Sequence, residues 1–533
     1  MNFLYFGDCL DVLRNDIGDE SVDLIYIDPP FNSKRNYNIF FDDKDIQTQR
    51  VAFEDTWSLK NIQDSLSELM SLKTEKIHRL LSVYSEIAPS AYPYLVMMAL
   101  RIIGLHRVLK PTGSFYLHCD PTMSHYLKTI CDAIFGKDNF RNEITWKRTN
   151  AHSDAKYKFP DINDIILFYA KTERAAFYPL YTEHDSEYVR KFYKYDDNDG
   201  KGLYQLTDIS SPGPRPNMMY EWMGFPCPAK GWRYQKSTMQ RLDDKGLIWY
   251  PLAADGQSDY TRRPRFKRYL NKQKGMIVSN NWSDIKSLQA FEKERLGYPT
   301  QKPKTLLERI IKASSDEGDT VLDAFCGCGT TVDAAEGLKR NWIGIDISPI
   351  AISLIRKRLN ESYGKSLSKY DIRGIPKDEA SAIRLWQQNP FAFQDWWLTE
   401  FCAFSTTFGK KGADKGIDGI AKYLVGSNET IKAAFQVKGG KVQSKDTDAL
   451  IGAMDKHHCK LCVFLSISEP TKPMLEAAAA AGFAEVPGFK YPRLQILTLA
   501  EFFSGKQLKL PQTNITFERA KLKGKGMRQT DLL

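Results

Sequence analysis

The chain has 533 residues, of which 42% are hydrophobic and 12% aromatic, so a disordered protein is excluded. Its formal net charge of +10 suits a polyanionic partner and equally an ordinary basic protein. Nine cysteines without disulfide-like spacing indicate a reducing compartment. The start of the chain has no signal-peptide pattern, and the longest apolar run, Tyr94 to Leu100, is too short to span a bilayer. We therefore expect a soluble cytoplasmic protein with no membrane segment.

The first 150 residues alternate between strand-like and helix-like patterns. Ser21 to Ile27 is an apolar run that ends at Asp28-Pro-Pro, and Tyr92 to Leu109 has a helical pattern. A turn at Lys110-Pro-Thr-Gly then precedes a second apolar run, Ser114 to His118. A strand, a long helix and another strand in succession predict a parallel sheet.

The middle of the chain has a different composition and no regular hydrophobic pattern. Residues from about 150 to 290 are rich in Tyr, Asp, Lys and Arg and are interrupted by Gly and Pro, which predicts an irregular insertion outside the sheet. The strand–helix pattern returns at Thr305 and continues through a strand at Thr320 and another that ends at Asp346. A polar stretch, 360–378, has the composition of a linker, and a mixed α/β pattern follows it to about residue 505.

A glycine turn joins the predicted strand at Thr320 to the next helix. Its sequence is Asp323-Ala-Phe-Cys-Gly-Cys-Gly-Thr-Thr, and Gly327 and Gly329 allow the backbone to turn sharply and approach a ligand closely. No Gly-Lys-Ser/Thr follows, so a P-loop is excluded. Asp346 ends the next strand, where a carboxylate can accept hydrogen bonds from ribose hydroxyls. The glycine turn together with Asp346 indicates an adenosine-containing ligand. The alternative is a generic βαβ turn without a ligand.

A second chemical motif, Asp28-Pro-Pro-Phe, follows the first predicted strand at the sheet edge where open α/β folds bind ligands. The prolines fix the turn, so the Asp28 carboxylate and a proline carbonyl are rigid acceptors, and Phe31 offers a flat face. Acceptors on both protons of an aromatic amine favour pyramidal nitrogen and free its lone pair to attack a methyl sulfonium. Taken alone, the motif is also compatible with an ordinary strand-terminating turn.

Together these motifs resemble those of amino-group DNA methyltransferases. Asp28-Pro-Pro-Phe, Asp323-Ala-Phe-Cys-Gly-Cys-Gly-Thr-Thr and Tyr298-Pro-Thr-Gln-Lys-Pro occur in an order similar to the β-type arrangement, which includes type III modification subunits. Gly7-Asp-Cys-Leu-Asp-Val-Leu and Asn142-Glu-Ile-Thr-Trp also resemble pieces of that catalytic region. The resemblance covers roughly residues 1–360. Ala324 and Cys328 depart from the usual glycine-turn pattern, but both are small residues that leave cofactor binding intact.

The resemblance implies a role for each motif residue. It assigns Asp28, Pro29, Pro30 and Phe31 to the target amine and base, and Asp323, Phe325, Gly327 and Gly329 to the methionine part of S-adenosylmethionine. It assigns Asp346 to the ribose, Asp8 to the adenine, and Thr300, Gln301 and Lys302 to the carboxylate end of the cofactor. An Asp at the first motif position resembles the adenine-N6 enzymes, whereas the chemistry of the amine also permits cytosine-N4.

The C-terminal part carries a second constellation. Asp418 begins an apolar run, and Gln436 and Lys438 lie in another about eighteen residues later, so a hairpin brings them together. A carboxylate and a second oxygen ligand can hold Mg²⁺, which with a lysine activates water against a phosphodiester. Gly412-Ala-Asp-Lys-Gly-Ile-Asp-Gly with Gln436-Val-Lys resembles Mrr-like PD-(D/E)xK nucleases, in which Glu400 occupies the place of an additional acid. Gln436 replaces an acid of the wider superfamily, so a degenerate DNA-binding domain stays an alternative.

The sequence therefore predicts an α/β protein with an S-adenosylmethionine-dependent, Rossmann-like methyltransferase core and a C-terminal restriction-endonuclease-like α/β domain. The expected parts are a catalytic region (1–150), a target-recognition region (151–295), a cofactor-binding region (296–362) and an Mrr-like domain (380–510). Double-stranded DNA is the expected substrate, and a restriction subunit or a second copy of the chain is a candidate partner. An RNA or protein methyltransferase and a non-enzymatic DNA-binding protein are the alternatives from other classes.

Overall fold

The structure, a computed structural model, describes residues 1–31, 36–41, 48–54, 63–72, 74–151, 157–289, 292, 294–296, 298, 300–405, 416–425, 429–486 and 489–514. Its contacts divide the chain into two compact units. The larger unit comprises Met1–Tyr178 and Asn280–Leu533, and the smaller comprises Pro179–Ser279.

The first part of the larger unit alternates strands with helices. Its elements are β1 (Asn2–Phe6), α1 (Cys9–Asp16), β2 (Val22–Ile27), β3 (Asn36–Phe41), β4 (Thr48–Glu54), α2 (Gln63–Ser71), α3 (Glu75–Ile87), α4 (Tyr92–Val108), β5 (Leu109–Cys119), α5 (Ser124–Phe135), β6 (Phe140–Lys147) and β7 (Asn163–Ala170).

The smaller unit is built from short elements. They are β8 (Tyr181–Thr182), α6 (Ser186–Phe192), β9 (Tyr204–Asp208), α7 (Lys236–Asp244), β10 (Ile248–Trp249), β11 (Arg265–Tyr269) and β12 (Met276–Ile277). Within it, β11 pairs antiparallel with both β9 and β10, and β8 pairs with β12. Its core is formed by Trp222, Trp232 and Met239 with neighbouring apolar side chains.

The larger unit then resumes its alternating pattern. The next elements are β13 (Asn281–Trp282), α8 (Lys304–Ser314), β14 (Thr320–Asp323), α9 (Thr330–Gly337), β15 (Asn341–Asp346), α10 (Pro349–Tyr363) and β16 (Tyr370–Arg373). Within the described residues they complete a nine-stranded sheet with the order β13-β6-β7-β5-β2-β14-β15-β1-β16. All neighbouring pairs are parallel except β5–β7 and β6–β7, so the sheet is mixed.

The core of this sheet forms because the strands and α4 are apolar on nearly every side. Residues Tyr94 to Leu100 of α4 are almost completely buried, as are Leu24 to Ile27 of β2. Strands covered on both faces lose the polar alternation of a half-exposed sheet. Pro93 lies in the first turn of α4, where its missing N–H costs no helical hydrogen bond.

Three expectations from the sequence differ from the structure. Lys110 to Gly113 does not form a turn before the strand; β5 begins at Leu109, and these residues bulge because Leu109 pairs with Val22 whereas Ser114 pairs with Leu24. The irregular middle segment contains β7, a central strand whose apolar run was hidden among polar neighbours. The stretch 360–378 is more than a linker, because β16 pairs parallel with β1.

The C-terminal part of the larger unit has its own sheet. Its elements are α11 (Glu379–Gln388), α12 (Pro390–Glu400), β17 (Phe404–Ser405), β18 (Gly419–Val425), β19 (Glu429–Lys438), α13 (Ser444–Lys456), β20 (Leu461–Ser466), α14 (Lys472–Ala480), β21 (Phe483–Val486), β22 (Phe489–Pro492), β23 (Leu494–Thr498), α15 (Leu499–Phe503) and β24 (Thr513–Asn514). The sheet runs β17-β18-β19-β20-β23, with β24 on β18. Across the described part of the chain, none of the helices is long and apolar enough to cross a membrane.

Candidate active site

Four parallel strands bring the predicted methyltransferase motifs to one edge of the large sheet. The strands β2, β14, β15 and β1 are successive neighbours, so their carboxyl ends lie side by side. Asp28 follows β2, Asp323 and Asp346 end β14 and β15, and Asp8 follows β1. Carboxyl ends of parallel strands are where open α/β sheets bind ligands, so these separate motifs line one site.

Asp28 is held by a lysine from a distant part of the chain. The Nζ of Lys302 donates to Asp28 Oδ2 at 2.5 Å and to the Thr300 carbonyl at 3.3 Å. The same ammonium lies 5.3 Å from the centre of the Phe31 ring. Asp28 Oδ1 is buried and has no hydrogen-bond partner among the described residues. The carboxylate therefore offers one oxygen to which none of the described residues donates.

A buried polar network lies behind Phe31. The Phe31 ring stacks on the imidazole of His118 with ring centres 6.1 Å apart and planes inclined by 24°. His118 is fully buried on β5; its Nδ1 lies 2.8 Å from the Tyr26 hydroxyl and its Nε2 lies 3.0 Å from Asp164 Oδ2. Trp146 packs edge-on against the same imidazole. The orientation of Phe31 is thus fixed by a network that draws on four strands of the sheet.

The protonation of this network follows from its surroundings. Burial tends to raise the pKa of Asp164, but the hydrogen bond from His118 and the charges of His118, Lys302 and Arg148 outweigh it, so the pKa is lowered. Burial and nearby carboxylates raise the pKa of Tyr26, which keeps its hydroxyl proton. The two ring nitrogens of His118 therefore bond to different strands, Nε2 to Asp164 on β7 and Nδ1 to the Tyr26 hydroxyl on β2.

The glycine turn is closed by hydrogen bonds from both neighbouring strands. Asp346 Oδ2 accepts from the Gly327 N–H at 2.8 Å, and its Oδ1 accepts from the Ser348 N–H at 2.8 Å. Asp323 accepts from the Phe325 N–H at 3.0 Å and from the Thr331 hydroxyl at 2.5 Å. Burial raises the pKa of Asp346 to about 6 and that of Asp323 to about 7, although these hydrogen bonds oppose both shifts.

Both glycines of the turn adopt left-handed conformations, and Gly329 also has no room for a Cβ. Gly327 has φ +51°, and a Cβ there would lie 3.1 Å from the Tyr298 ring. Gly329 has φ +77°, and a Cβ there would lie 2.6 Å from Ile355. Phe325, Gly327 and Asp346 keep partly exposed faces, whereas Asp323 is buried with both oxygens bonded inside the turn. The exposed faces form a backbone cradle that fits an adenosyl cofactor, and Asp323 shapes it.

The remaining predicted cofactor residues differ in what they contact. Both Asp8 carboxylate oxygens accept from Arg101 Nη2, at 2.9 and 2.7 Å, and Oδ1 also caps α1 through the Leu10 N–H. Gln301 bonds through its side chain to the backbone of residues 294 and 296. Thr300 is exposed and adopts a left-handed φ of +60°. Lys302 lies at Asp28, and Gln301 stabilises the loop that carries it.

The hairpin of β18 and β19 brings two residues of the second constellation together. Gly419 pairs with Phe435, so Asp418 lies opposite Gln436, and the Val437 N–H donates to Asp418 Oδ2 at 2.7 Å. Gln436 Oε1 is buried and has no hydrogen-bond partner in the described part of the chain. Lys438 is half-buried at the end of β19, and Glu400 is exposed at the end of α12. Residues 412–415 of the quoted motif lie outside the described residues.

An orphaned amide oxygen beside a carboxylate fits a hard cation that prefers oxygen ligands. Among the described residues, however, no group of three or more His, Cys, Asp or Glu side chains is arranged to hold a metal ion. The fit of Mg²⁺ therefore depends on Asp418 and the amide oxygen of Gln436, with water to complete its coordination.

Sequence reasoning missed four residues of the methyltransferase site: Arg101, Tyr26, His118 and Asp164. A signal existed for Arg101, because it is the single charge within the apolar run of α4 and is itself buried. A buried arginine requires a paired acid, which here is Asp8. His118 and Asp164 gave no such signal, because the antiparallel pairing of β5 with β7 that joins them is a tertiary feature.

A family model described as DNA methylase, for enzymes of the N6 and N4 type, matches residues 22–357. The chain belongs to the N6/N4 DNA methylase family. The match begins in β2, ends in α10, and contains the Asp28 motif, the Lys302 loop and the glycine turn. A second family model, described as restriction endonuclease and of the Mrr type, matches residues 398–488 of the C-terminal part.

Named relatives agree with the family. The methylase is 34% identical over 267 residues to the type II methyltransferase M.EcaI of Enterobacter cloacae, a match that covers 50% of this chain and 57% of the relative. It is 29% identical over 353 residues to the Mod subunit of the type III enzyme StyLTI of Salmonella typhimurium, covering 63% of this chain and 50% of the relative. The chain thus spans about half the length of these relatives.

A solved structure also aligns with the methylase. It is the cytosine-N4-specific PvuII DNA methyltransferase, at 14% identity and a TM-score of 0.34, covering 70% of this chain and 95% of the solved one. A score this low adds nothing to the assignment. The family matches confirm the predicted resemblance and fold class: a methyltransferase core of the N6/N4 type, related to type III modification subunits, with a C-terminal Mrr-like nuclease domain.

Proposed function

We propose that this chain transfers a methyl group from S-adenosylmethionine to the N6 amine of adenine in double-stranded DNA. The proposal depends on the buried Oδ1 of Asp28, which lies near the flat ring of Phe31. Within the described residues this oxygen has no hydrogen-bond partner. An aromatic amine presents donors in the plane of a ring that can stack, and this pair of groups complements both features. A base must leave the duplex to reach such a pocket, which costs a few kcal/mol.

The residues contribute by position and charge. Asp28 Oδ1 and the carbonyl of Pro29 or Pro30 accept from the two amine protons and favour pyramidal nitrogen, while Phe31 stacks on the base. The nitrogen lone pair then forms the bond to the methyl carbon, and the methyl–sulfur bond breaks with its electron pair left on sulfur. The nitrogen sheds one proton to solvent. S-adenosylmethionine supplies the activated methyl group when it is bound.

The cofactor side of the proposal uses the glycine turn. Phe325, Gly327 and Gly329 line the methionine part, Asp346 accepts from the ribose hydroxyls, and Asp8 lies next to the adenine. Asp323 acts by closing the turn. The family resemblance places Thr300, Gln301 and Lys302 near the carboxylate end of the cofactor.

The target base is tested by product analysis. Purified protein is incubated with unmethylated DNA and labelled S-adenosylmethionine, the DNA is digested to nucleosides, and the methylated nucleoside is identified by mass spectrometry. We expect N6-methyladenine, with label lost in Asp28→Ala. N4-methylcytosine would replace the adenine assignment and keep the methyltransferase, whereas label in RNA or protein and none in DNA would reject the proposal.

Recognition of DNA is proposed for the segment 151–295, most of which forms the compact unit Pro179–Ser279. Five of the seven residues from Arg262 to Arg268 are basic, and they include most of β11. Clustered cations contact phosphates and position a protein on the duplex. By analogy with the StyLTI Mod subunit, a restriction subunit or a second copy of this chain is the proposed partner.

We also propose that the C-terminal domain cleaves DNA. Asp418 and Gln436 would hold Mg²⁺ and Lys438 would polarise the phosphodiester; the support is the convergence of Asp418 with an orphaned Gln436 oxygen. Wild type and Lys438→Ala are incubated with unmethylated and premethylated plasmids, Mg²⁺ and S-adenosylmethionine. Cutting by wild type alone supports the nuclease, and the plasmid that is cut shows whether methylation protects or provokes. No cutting of either plasmid, with methyl transfer intact, favours a DNA-binding module.

A further inference from the structure

Lys302 is a buried lysine whose ammonium contacts both Asp28 and Phe31 of the proposed target pocket. Its side chain is 7% exposed, and its ammonium reaches Asp28 Oδ2, the Thr300 carbonyl and the face of the Phe31 ring. Thr300 adopts a left-handed φ of +60°, a conformation that a β-branched residue rarely takes. The loop therefore accepts local strain where its carbonyl meets Lys302.

The Lys302 ammonium makes the two carboxylate oxygens of Asp28 different in their hydrogen bonding. Oδ2 is occupied by Lys302 at 2.5 Å, and Oδ1 is left without a hydrogen-bond partner among the described residues. An ion pair of this kind fixes the rotation of a carboxylate, because turning it would break the short contact. Lys302 thereby determines which oxygen faces the substrate.

The charge of Lys302 also balances a concentration of acids. Lys302 bonds directly to Asp28, and its charge helps to lower the pKa of Asp164. The charge of Asp28 contributes to the raised pKa of Asp323. A buried carboxylate without a cation is costly, and it either moves toward water or takes up a proton. Either change would remove the acceptor that the amine requires.

We propose that Lys302 is a positioning residue for methyl transfer: it holds Asp28 with one oxygen free for the target amine and holds the Phe31 ring as the stacking surface. It does not bind the carboxylate end of the cofactor. This inference rests on the proposed function for the role of Asp28, whereas the Lys302–Asp28 pair itself does not.

The first experiment separates cofactor binding from chemistry. Lys302→Met, Lys302→Arg and wild type are compared for S-adenosylmethionine affinity by calorimetry and for the single-turnover rate of DNA methylation at saturating cofactor. In Lys302→Met we expect the rate to fall about 100-fold, with cofactor affinity within about threefold of wild type. Lys302→Arg, which keeps the charge, should recover at least about tenfold of that loss. Lys312→Met, a half-exposed lysine of α8, should resemble wild type.

The opposite split overturns the proposal. If cofactor affinity falls more than about tenfold in Lys302→Met while the single-turnover rate at saturating cofactor is unchanged, Lys302 serves the cofactor. Equal loss in Lys302→Met and Lys302→Arg with an unfolded or aggregated product would indicate a purely structural role and would also contradict it.

A second experiment does not depend on activity. Melting temperatures are measured for wild type, Asp28→Asn, Lys302→Met and the double variant. Lys302→Met should lower the melting temperature by at least about 3 °C, and most of this loss should disappear in the Asp28→Asn background, where no carboxylate is left unpaired. If the changes in melting temperature of the two single variants simply add in the double variant, Lys302 and Asp28 do not interact and the proposal is wrong. If wild type fails to methylate DNA, the proposed function fails, and this cycle still decides whether Lys302 holds Asp28.

Discussion

Asp346 closes the glycine turn and is also the proposed acceptor for the ribose of the cofactor. Its two oxygens accept N–H bonds that close the glycine turn, and each oxygen keeps lone pairs for the hydroxyls of a bound ribose. Burial raises the pKa of Asp346 to about 6 against the opposing effect of these hydrogen bonds. The carboxylate is therefore ionised at neutral pH and becomes protonated within the range where most proteins remain folded.

Cofactor affinity should consequently depend on pH. In the proposed cofactor site the ionised form of Asp346 accepts the ribose hydroxyls, so S-adenosylmethionine binding is expected to be constant above pH 7 and to weaken by up to about tenfold per pH unit below 6. Calorimetric titrations between pH 5 and 8 measure this dependence. Asp346→Asn should bind more weakly throughout and lose the dependence, whereas Glu75→Gln, at an exposed acid of α3, should retain it. Equal wild-type affinity at pH 5 and 7 would contradict the assignment.

At the scale of secondary-structure elements, the connection between β14 and α9 leaves no room for a side chain at Gly329. Gly329 is the N-cap residue of α9 with φ +77°, and α10 packs so closely that a Cβ would lie 2.6 Å from Ile355. Gly318, just before β14, has a similar φ of +88° but no atom within 4 Å of a built Cβ. Comparing alanine substitutions at the two glycines therefore separates the free-energy cost of a left-handed backbone from the cost of steric overlap.

Gly329→Ala should therefore be more harmful than Gly318→Ala. We expect about 1 kcal/mol of destabilisation from the left-handed conformation in both variants, and a further 1–3 kcal/mol or so from overlap in Gly329→Ala alone. Thermal unfolding measures stability, and calorimetry should show weaker S-adenosylmethionine binding in Gly329→Ala only. Equal behaviour of the two variants would mean that α10 yields to the added methyl group.

On the scale of the whole molecule, the proposed methylation site and the proposed cleavage site lie on separate sheets. The methylase motifs lie along the large sheet, and the Asp418 hairpin belongs to the C-terminal sheet. The basic run of β11 belongs to neither sheet, because it lies in the compact unit Pro179–Ser279. Substitutions in that unit should thus affect DNA binding without touching the cofactor cradle.

Substitution of Arg263 and Arg265 tests whether DNA binding and cofactor binding depend on different parts of the chain. Replacing both with Ala should weaken DNA binding at low salt and reduce the slope of log affinity against log salt by about 1 per lost phosphate contact. The affinity for S-adenosylmethionine should be unchanged, and Lys312→Ala on α8 is the matched control. Binding curves at several salt concentrations provide the measurement. An unchanged slope would remove these arginines from the DNA surface.

How much the sequence predicted depends on whether an element is local. The strand before Asp28, the helix that begins at Tyr92 and the glycine turn were predicted within a residue or two, because apolar runs, proline and glycine act on their own neighbours. The position of β7 and the pairing of β16 with β1 were missed, because both depend on strands far away in the chain.

By itself, the sequence determined the methylase family, the fold class and the Mrr-like C-terminal domain, since short motifs with fixed spacing carry a recognisable local geometry. Only the tertiary structure decided which side chains meet. It paired Lys302 with Asp28 across 274 positions, Arg101 with Asp8, and His118 with Asp164. The physical reason is that burying a charge requires a partner, and the choice of partner depends on which strands and helices pack together.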